Sequence, residues 1–394
     1  MKGTATRGDR LRRSGSAANL IRRDRALEPS LPAITCKLLY QSASPHIQQL
    51  YTGFQLLHRT GLLRLRQERR TTAIRYGSEA PHLQGAHHAH LDALLDENLR
   101  IHFDTHDAEE VPLRELEDCH VYFKRSYSPA VVSTLPAELR GKVRPLGLNY
   151  RVLPDGMDLR AVRRALSLSG WSAKTLTTCK QAVDINNWFG FQPRLQLMQA
   201  PPNPRAEPNV LFLVAAYDPY DDPARSREKI EDRISINETR ALCIRLLKKA
   251  LGRRFTGGFS HSRFAAKLYP DLVAPAGSTS QVQYFRTLQS YPICVATTGL
   301  HGSTGWKLAE YVAFSKAIVS ERLVFQVPGS FAPGKNYIEF SSAQECADGA
   351  IRLVEDAQLR RELMLNNAAY YRDRLRPDAL VRNALQTALE QRVF

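Results

Sequence analysis

No apolar run in the 394-residue sequence approaches the roughly 20 residues that a membrane-crossing helix needs. The first thirty residues hold no apolar core of the roughly 7–15 residues that marks a secretory signal. The six cysteines (Cys36, Cys119, Cys179, Cys243, Cys294 and Cys346) form no C-x-x-C pair and sit at no zinc-finger spacing, so free thiols in a reducing compartment are expected. There is no P-loop, G-x-G-x-x-G, H-E-x-x-H or G-x-S-x-G, which counts against ATPase, dehydrogenase, metalloprotease and α/β-hydrolase chemistry. Acids are the scarce charge: 39 Asp and Glu stand against 55 Lys and Arg, a net charge of +16. Residues 1–30 carry eight cations and three acids, so +11 remains for the rest of the chain. Such a surface favours phosphate-bearing ligands, acidic polymers or an anionic membrane face. Basic and aromatic residues do not interleave, so nucleic acid is not an expected partner.

What is present is an alternation of short apolar runs and helical patterns. Residues 1–32 read as a basic disordered tail, although their composition also fits a targeting segment. From there "CKLLYQSA", "TTAIRYG", "LRIHFDTHD", "CHVYFKRSY" and "KVRPLGLNYRV" read as strands. "HIQQLYTGFQLLHRTGLLRLRQ", "HLDALLDEN" and "LRAVRRALSLSG" read as helices. Four prolines in "APPNPRAEPN" can neither continue a helix nor sit inside a sheet, so this stretch is the expected linker. Beyond it "NVLFLVAAY" has the continuous apolar character of a parallel strand buried on both faces. A long helix follows, then "RFTGGF", a helix over "STSQVQYFRTLQSY", "PICVATTG", a glycine-rich turn with its helix, "KAIVSE", and a helical end interrupted at Pro377. The fold class expected is α/β, with two Rossmann-like domains whose parallel sheets face across a cleft. The boundaries are 33–198, a linker at 199–209, 210–376, and a last helix at 377–394.

The densest chemistry lies in "ATTGLHGSTGWKLAEYVAF". Ligands of open parallel sheets bind beyond the carboxyl ends of strands, where loops enter helices. Gly299, Gly302 and Gly305 let the backbone approach a ligand, and the N–H groups of a helix start favour phosphate. At about 100° per residue, Lys307 and Glu310 fall about 40° and about −20° from Ser303, so the three are expected on one stripe. The competing expectation is a solvated face with an ordinary i,i+3 ion pair. In "YFKRSY", Lys124 and Arg125 at a strand end suit phosphate, and "RIHFDTHD" puts His102, Asp104 and His106 on one strand face as base candidates. "HLQGAHHAH" reads as a loop. Tyr217 and Asp218 close the strand "NVLFLVAAY" at the rim of the expected cleft, while Asn237 and Arg240 fall in the long helix, where Arg240 is as well placed on the surface.

"KLAEYVAFSKAIVSE" resembles the donor-binding segment of GT-B glycosyltransferases, typically "EAMACGKPVV", in the order of its helix, glutamate, small-residue turn and strand. The likeness runs over roughly residues 205–377. It continues more weakly over 100–152, where "HVYFKRSY" and "RPLGLNY" are similar to stretches of the bacterial CgeB-like and surface-glycan transferases. The resemblance implies a glycosyltransferase, metal-independent and without a bound cofactor, using a UDP- or GDP-linked sugar. A glycan or lipid-linked acceptor, a cytoplasmic location and peripheral contact with an anionic membrane go with it. Donor contacts would come from Tyr217, Gly299, Gly302, Ser303, Thr304, Gly305, Lys307 and Glu310, with Lys124 and Arg125 for phosphate or acceptor. Glu310 matches the second glutamate of the Glu-x7-Glu motif, the ribose reader of retaining members. Position 302, where the first would fall, is glycine; the neighbouring His301 is the candidate substitute, with His102 and Asp104 as further catalytic candidates. A sugar-nucleotide epimerase and a silent sugar-nucleotide-binding module on the same fold are the alternatives.

Overall fold

The computed structural model describes residues 34–72, 74, 89–184, 191–275, 277–278 and 280–391. Two α/β units follow one another, each built on one sheet. The first opens with β1 (Ile34–Tyr40), α1 (Gln48–Arg59) and β2 (Leu63–Arg69). Thr60, Gly61 and Leu62 end the helix, so the apolar spacing read as one long helix divides: helical to Arg59, then alternating through "LRLRQER" as an edge strand.

Next come β3 (His90–Leu95) and β4 (Leu99–Asp104), where a helix over "HLDALLDEN" was expected. Leu91, Ala93 and Leu95 alternate with Asp92, a period of two, and Asp96 and Glu97 take the left-handed φ values (45° and 62°) of a tight hairpin. The unit continues through α2 (Leu113–Glu117), β5 (Val121–Lys124), α3 (Pro129–Thr134), α4 (Ala137–Arg140) and β6 (Val143–Pro145), then α5 (Leu159–Ser169) and α6 (Ala173–Val183). Its sheet runs β2-β1-β3-β4-β5-β6, with β3 antiparallel to both neighbours and the other pairings parallel. Of the strand read in "TTAIRYG", Thr71, Thr72 and Ile74 are described and lie in no strand; the rest falls outside the described residues, as do His82, His87 and His88.

The second unit holds β7 (Val210–Val214), α7 (Arg227–Leu251), β8 (Phe255–Phe259), α8 (Arg263–Leu268), α9 (Gln281–Ser290) and β9 (Ile293–Ala296). Then come α10 (Trp306–Ala313), β10 (Ala317–Glu321), β11 (Tyr337–Phe340), α11 (Ala343–Glu355) and α12 (Ala357–Tyr370). Its sheet, β11-β10-β9-β7-β8, is parallel throughout, and β7, β9 and most of β10 are buried on both faces, as their apolar sequences require.

The units share their cores. Helix α13 (Pro377–Gln391) leaves the second and lays Leu380, Val381, Ala384, Leu385 and Ala388 into the apolar core of the first. The approach is so close that a Cβ on Gly53 of α1 would stand 2.1 Å from the Pro377 carbonyl oxygen. Conversely Leu148, Tyr150, Val152, Leu195 and Met198, assigned by sequence to the first unit, pack with Leu211, Leu213, Phe314 and Tyr371 of the second.

Candidate functional site

Where β7 and β9 end and α10 begins, a cavity of about 360 Å³ opens in the second unit. Its walls include Tyr217, Gly299, Gly305, Lys307 and Glu310, five of the eight residues assigned to a donor. Arg240, Gln281, Tyr284, Phe285, Thr297 and Trp306, which were not assigned, complete its polar and aromatic lining.

The turn 299–305 is built to bring the chain to this wall. Thr298 is held at both its N–H and its hydroxyl by Glu321 Oε2, each at 2.8 Å. His301 (φ 58°, ψ 28°) and Gly302 (φ 66°) are then consecutively left-handed, and the chain doubles back until Gly299 N–H donates to the Ser303 carbonyl at 2.8 Å. Glycine is needed at 302 twice over: its φ is costly for any other residue, and a Cβ there would meet Val324 Cγ2 at 2.9 Å. Gly302, Ser303 and Thr304 shape the turn and do not line the cavity. Helix α10 starts only at Trp306, with Gly305 as its N-cap and no side chain on its first N–H groups. Ser303 therefore precedes the helix and does not share the stripe of Lys307 and Glu310.

Those two residues do face one way, towards the cavity. Glu310 is buried and accepts from the Tyr284 hydroxyl at 2.8 Å, and Lys307 Nζ lies 3.8 Å from the centroid of the same ring. Burial raises the Glu310 pKa, opposed by the Lys307 charge and the Tyr284 hydrogen bond. Burial likewise lowers the Lys307 pKa, opposed by Glu310. A solvated surface pair would show neither shift.

Arg240 belongs to this site and not to the helix surface. It is 5% exposed, donating to Thr297 Oγ1 at 3.0 Å and to the carbonyls of Ala215 and Thr298 at 2.8 and 3.0 Å, with its guanidinium 4.8 Å over the Tyr217 ring. Asn237, one turn earlier, clamps the Tyr217 backbone at both ends: its Oδ1 accepts from the N–H at 2.9 Å and its Nδ2 donates to the carbonyl at 2.7 Å. A signal for both existed, because 237, 240, 241, 244 and 247 form the buried stripe of α7 and the first two are polar.

The other candidates lie elsewhere. His301 is exposed, with its backbone N–H 3.4 Å from Asp232 Oδ2, and does not line the cavity. His102 and Asp104 share a face of β4 as expected, but they are fully buried inside the first sheet. His102 Nδ1 bonds Asp92 Oδ1 at 2.7 Å and its Nε2 meets His90 Nδ1 at 3.0 Å. Asp104 accepts from Tyr122 and Lys124, each at 2.7 Å. Lys124 is thus held in a buried internal ion pair and does not line the cavity. Strand periodicity gives the face of a residue but not which faces are covered, and α2 and the 106–110 loop cover this one. Burial would raise the Asp92 carboxyl, but His102, Arg100 and Arg70 outweigh it and hold it below the usual range. Among the described residues no group of three or more His, Cys, Asp or Glu is arranged to hold a metal ion.

Arg125 has a different part from the phosphate contact assigned to it. Its guanidinium pairs with Asp107 and crosses to the second unit, where it donates to the Thr304 carbonyl within the glycine turn. His46 packs edge-on against Trp306, centroids 5.3 Å apart, and Gln326 N–H donates to the Tyr127 carbonyl at 3.0 Å. The first unit therefore stands against the turn and helix start that form the cavity.

No family model matches the chain, and neither does any curated protein. Solved structures similar to it include HepE of Anabaena with UDP and glucose (12% identity, TM-score 0.34, covering 89% of this chain and 98% of that one). The UDP-GlcNAc 2-epimerase of Neisseria meningitidis bound to UDP-GlcNAc gives 12%, 0.36, 88% and 73%. The C-terminal domain of a glycosyl transferase group 1 family protein, LpcC, from Francisella tularensis gives 12%, 0.33, 45% and 95%. The architecture itself, two α/β units with a terminal helix crossing back from the second to the first, matches the two-domain α/β fold expected from the sequence.

Proposed function

We propose that the chain is a glycosyltransferase that takes a sugar from a nucleoside-diphosphate sugar held in the second-unit cavity. The observation that carries this reading is the composition of that cavity. An uncapped helix start, the cations Arg240 and Lys307 and the buried carboxylate Glu310 converge on one space, at the strand ends that face the other unit. A diphosphate would rest on the first N–H groups of α10 with Lys307 and Arg240 beside it, and Glu310 would accept from ribose hydroxyls. Tyr284, Phe285 and Gln281 offer aromatic faces and one amide to a nucleobase. Catalysis would rest on alignment and on stabilising the departing diphosphate, with the acceptor, a glycan or a lipid-linked saccharide, entering from the side of the first unit.

Incubation with UDP-, GDP- and CMP-sugars, following free nucleotide and sugar identity together, tests the reading. Nucleotide release that requires an acceptor supports transfer. An altered sugar without release would make the chain an epimerase, and binding without either change a silent module; both outcomes reject the proposal.

A further inference from the structure

Between the start of α1 and the helices α5 and α6, the first unit holds a cavity of about 60 Å³ that shares no lining residue with the donor cavity. Arg151, Arg164 and Arg194 line it, and Asp158 is the one acid among the lining residues. Asp158 caps α5, its Oδ1 accepting from the Ala161 N–H at 3.0 Å, and Arg164 follows on the same face of that helix. The three cations are unequally answered. Arg194 donates to the carbonyls of Pro154, Gly156, Gln181 and Asp184 at 2.9, 2.6, 2.9 and 3.0 Å, and Asp155, Asp184 and Asp158 offset its charge. Arg164 donates to Gln67 Oε1 at 3.0 Å, lies 3.9 Å over the Tyr51 ring and stands 4.0 Å from Asp158 Oδ2. Arg151 is half-buried and, among the described residues, has neither a hydrogen bond nor an ion pair. Burial lowers its pKa, and no carboxylate opposes that shift. Three donors on the cavity walls (Gln48 Nε2, Arg164 Nε and Arg194 Nε) and one acceptor, Asp158 Oδ2, are buried without a partner. None of these four side chains is more than 8% exposed.

We infer that this cavity binds hydrogen phosphate. Unpartnered donors beside an unanswered guanidinium call for an anion, since water would satisfy the donors but not the charge. A volume of about 60 Å³ suits a four-oxygen anion and is too small for a sugar nucleotide. The unpartnered Asp158 Oδ2 narrows the choice, because it needs a donor from the ligand. Hydrogen phosphate carries a P–OH at neutral pH to meet it. Sulfate has acceptor oxygens only and would face the carboxylate with no proton between them. Bound there, the anion would join Arg151 and the α5–α6 pair to the first turn of α1, so the stability of the first unit would follow the phosphate concentration. The inference stands independently of the proposed reaction, and its test uses no nucleotide.

The full chain is titrated calorimetrically with sodium phosphate and with sodium sulfate at matched ionic strength, beside thermal unfolding in each salt. Saturable phosphate binding that raises the unfolding midpoint is expected, with sulfate at least about tenfold weaker. Arg151→Gln should weaken phosphate about tenfold or more, yet leave the midpoint in phosphate-free buffer undiminished, because this guanidinium has no partner to lose. Asp158→Asn keeps an oxygen for the Ala161 N–H and puts an amide donor where Oδ2 stood, so phosphate and sulfate should then bind within about threefold of each other. A purely structural role for Asp158 would not move that ratio. Undiminished phosphate binding by Arg151→Gln would put the anion elsewhere, beside Lys307 or on the basic segment 1–30, and overturn the inference. So would sulfate binding equal to phosphate in the unaltered chain, a preference that survives Asp158→Asn, or no saturable binding at all.

Discussion

Glu310→Gln separates a ligand-binding role from a structural one, because the two predict opposite signs. The substitution keeps the volume and leaves an oxygen to accept from Tyr284, so the packing of α10 against α9 survives. It removes a buried negative charge. The folded-state pKa of Glu310 is raised, so folding favours the protonated acid: that stability is present below the unfolded value near 4.3 and lost as pH rises through the folded pKa. At neutral pH the carboxylate is therefore held at a cost, and the amide should leave the unfolding midpoint unchanged or slightly higher. Binding should move the other way. Trading a charged acceptor for a neutral one weakens hydrogen bonds from ribose hydroxyls by about 1–1.5 kcal/mol, close to tenfold in the dissociation constant of the nucleotide. Calorimetric titration with UDP and GDP, beside differential scanning of the free protein, measures both. Tyr284→Phe, which removes only the hydroxyl orienting Glu310, should cost about threefold and be non-additive with Glu310→Gln. Unchanged affinity would refute the ribose assignment, and a parallel fall in affinity and stability would make Glu310 a structural residue.

Nucleotide affinity should also have a narrowed pH range. The raised Glu310 pKa brings the acid-side loss to higher pH than an ordinary carboxylate would show, and the lowered Lys307 pKa brings the alkaline loss below that of an ordinary lysine. Gly302→Ala should destabilise by about 1–3 kcal/mol, and adding Val324→Ala should recover only part of it, because the clash is relieved but the left-handed φ is not. Arg125→Ala should lower sugar-nucleotide affinity several-fold and raise protease sensitivity of the 299–305 turn, since the Thr304 carbonyl loses its partner across the units; hydrogen exchange would show the same loosening. Burial holds His90 neutral, with its pKa lowered to about 3. The unfolded state therefore binds the extra proton between about pH 6.5 and 3, and stability should fall with a slope of at most about 1.4 kcal/mol per pH unit for this residue. His90→Asn should flatten that slope in acid-unfolding curves.

The second unit was legible in the sequence because continuous apolar runs such as "NVLFLVAAY" have one simple solution, a parallel strand covered on both faces. The glycines before "WKLAE" likewise pointed to a strand-to-helix turn, and Lys307 and Glu310 reached the cavity as the helical spacing required. The first unit was read less well. "HLDALLDEN" mixes apolar and acidic residues at a spacing that suits either a short helix or a hairpin, and only pairing with β1 and β4 decides. The buried set around His102 misled for a related reason: clustered ionisable groups look catalytic until the elements that neutralise them are known, and here Arg70, paired with both Asp92 and Glu115, and Glu115 itself come from outside the hairpin that carries Asp92 and His102. Arg240 was passed over because a charged residue on a helix is ordinarily solvated. Only its place in the apolar stripe of α7 betrays it.

The seat of α13 against α1 bears on how the molecule comes into being. The first sheet leaves the ribosome long before residues 377–391 are made, yet its hydrophobic interior lacks Leu380, Val381, Ala384, Leu385 and Ala388 until then. A nascent chain must therefore keep that groove open, or shielded by another protein, throughout synthesis of the second unit. Of the two units, the one translated first is completed last.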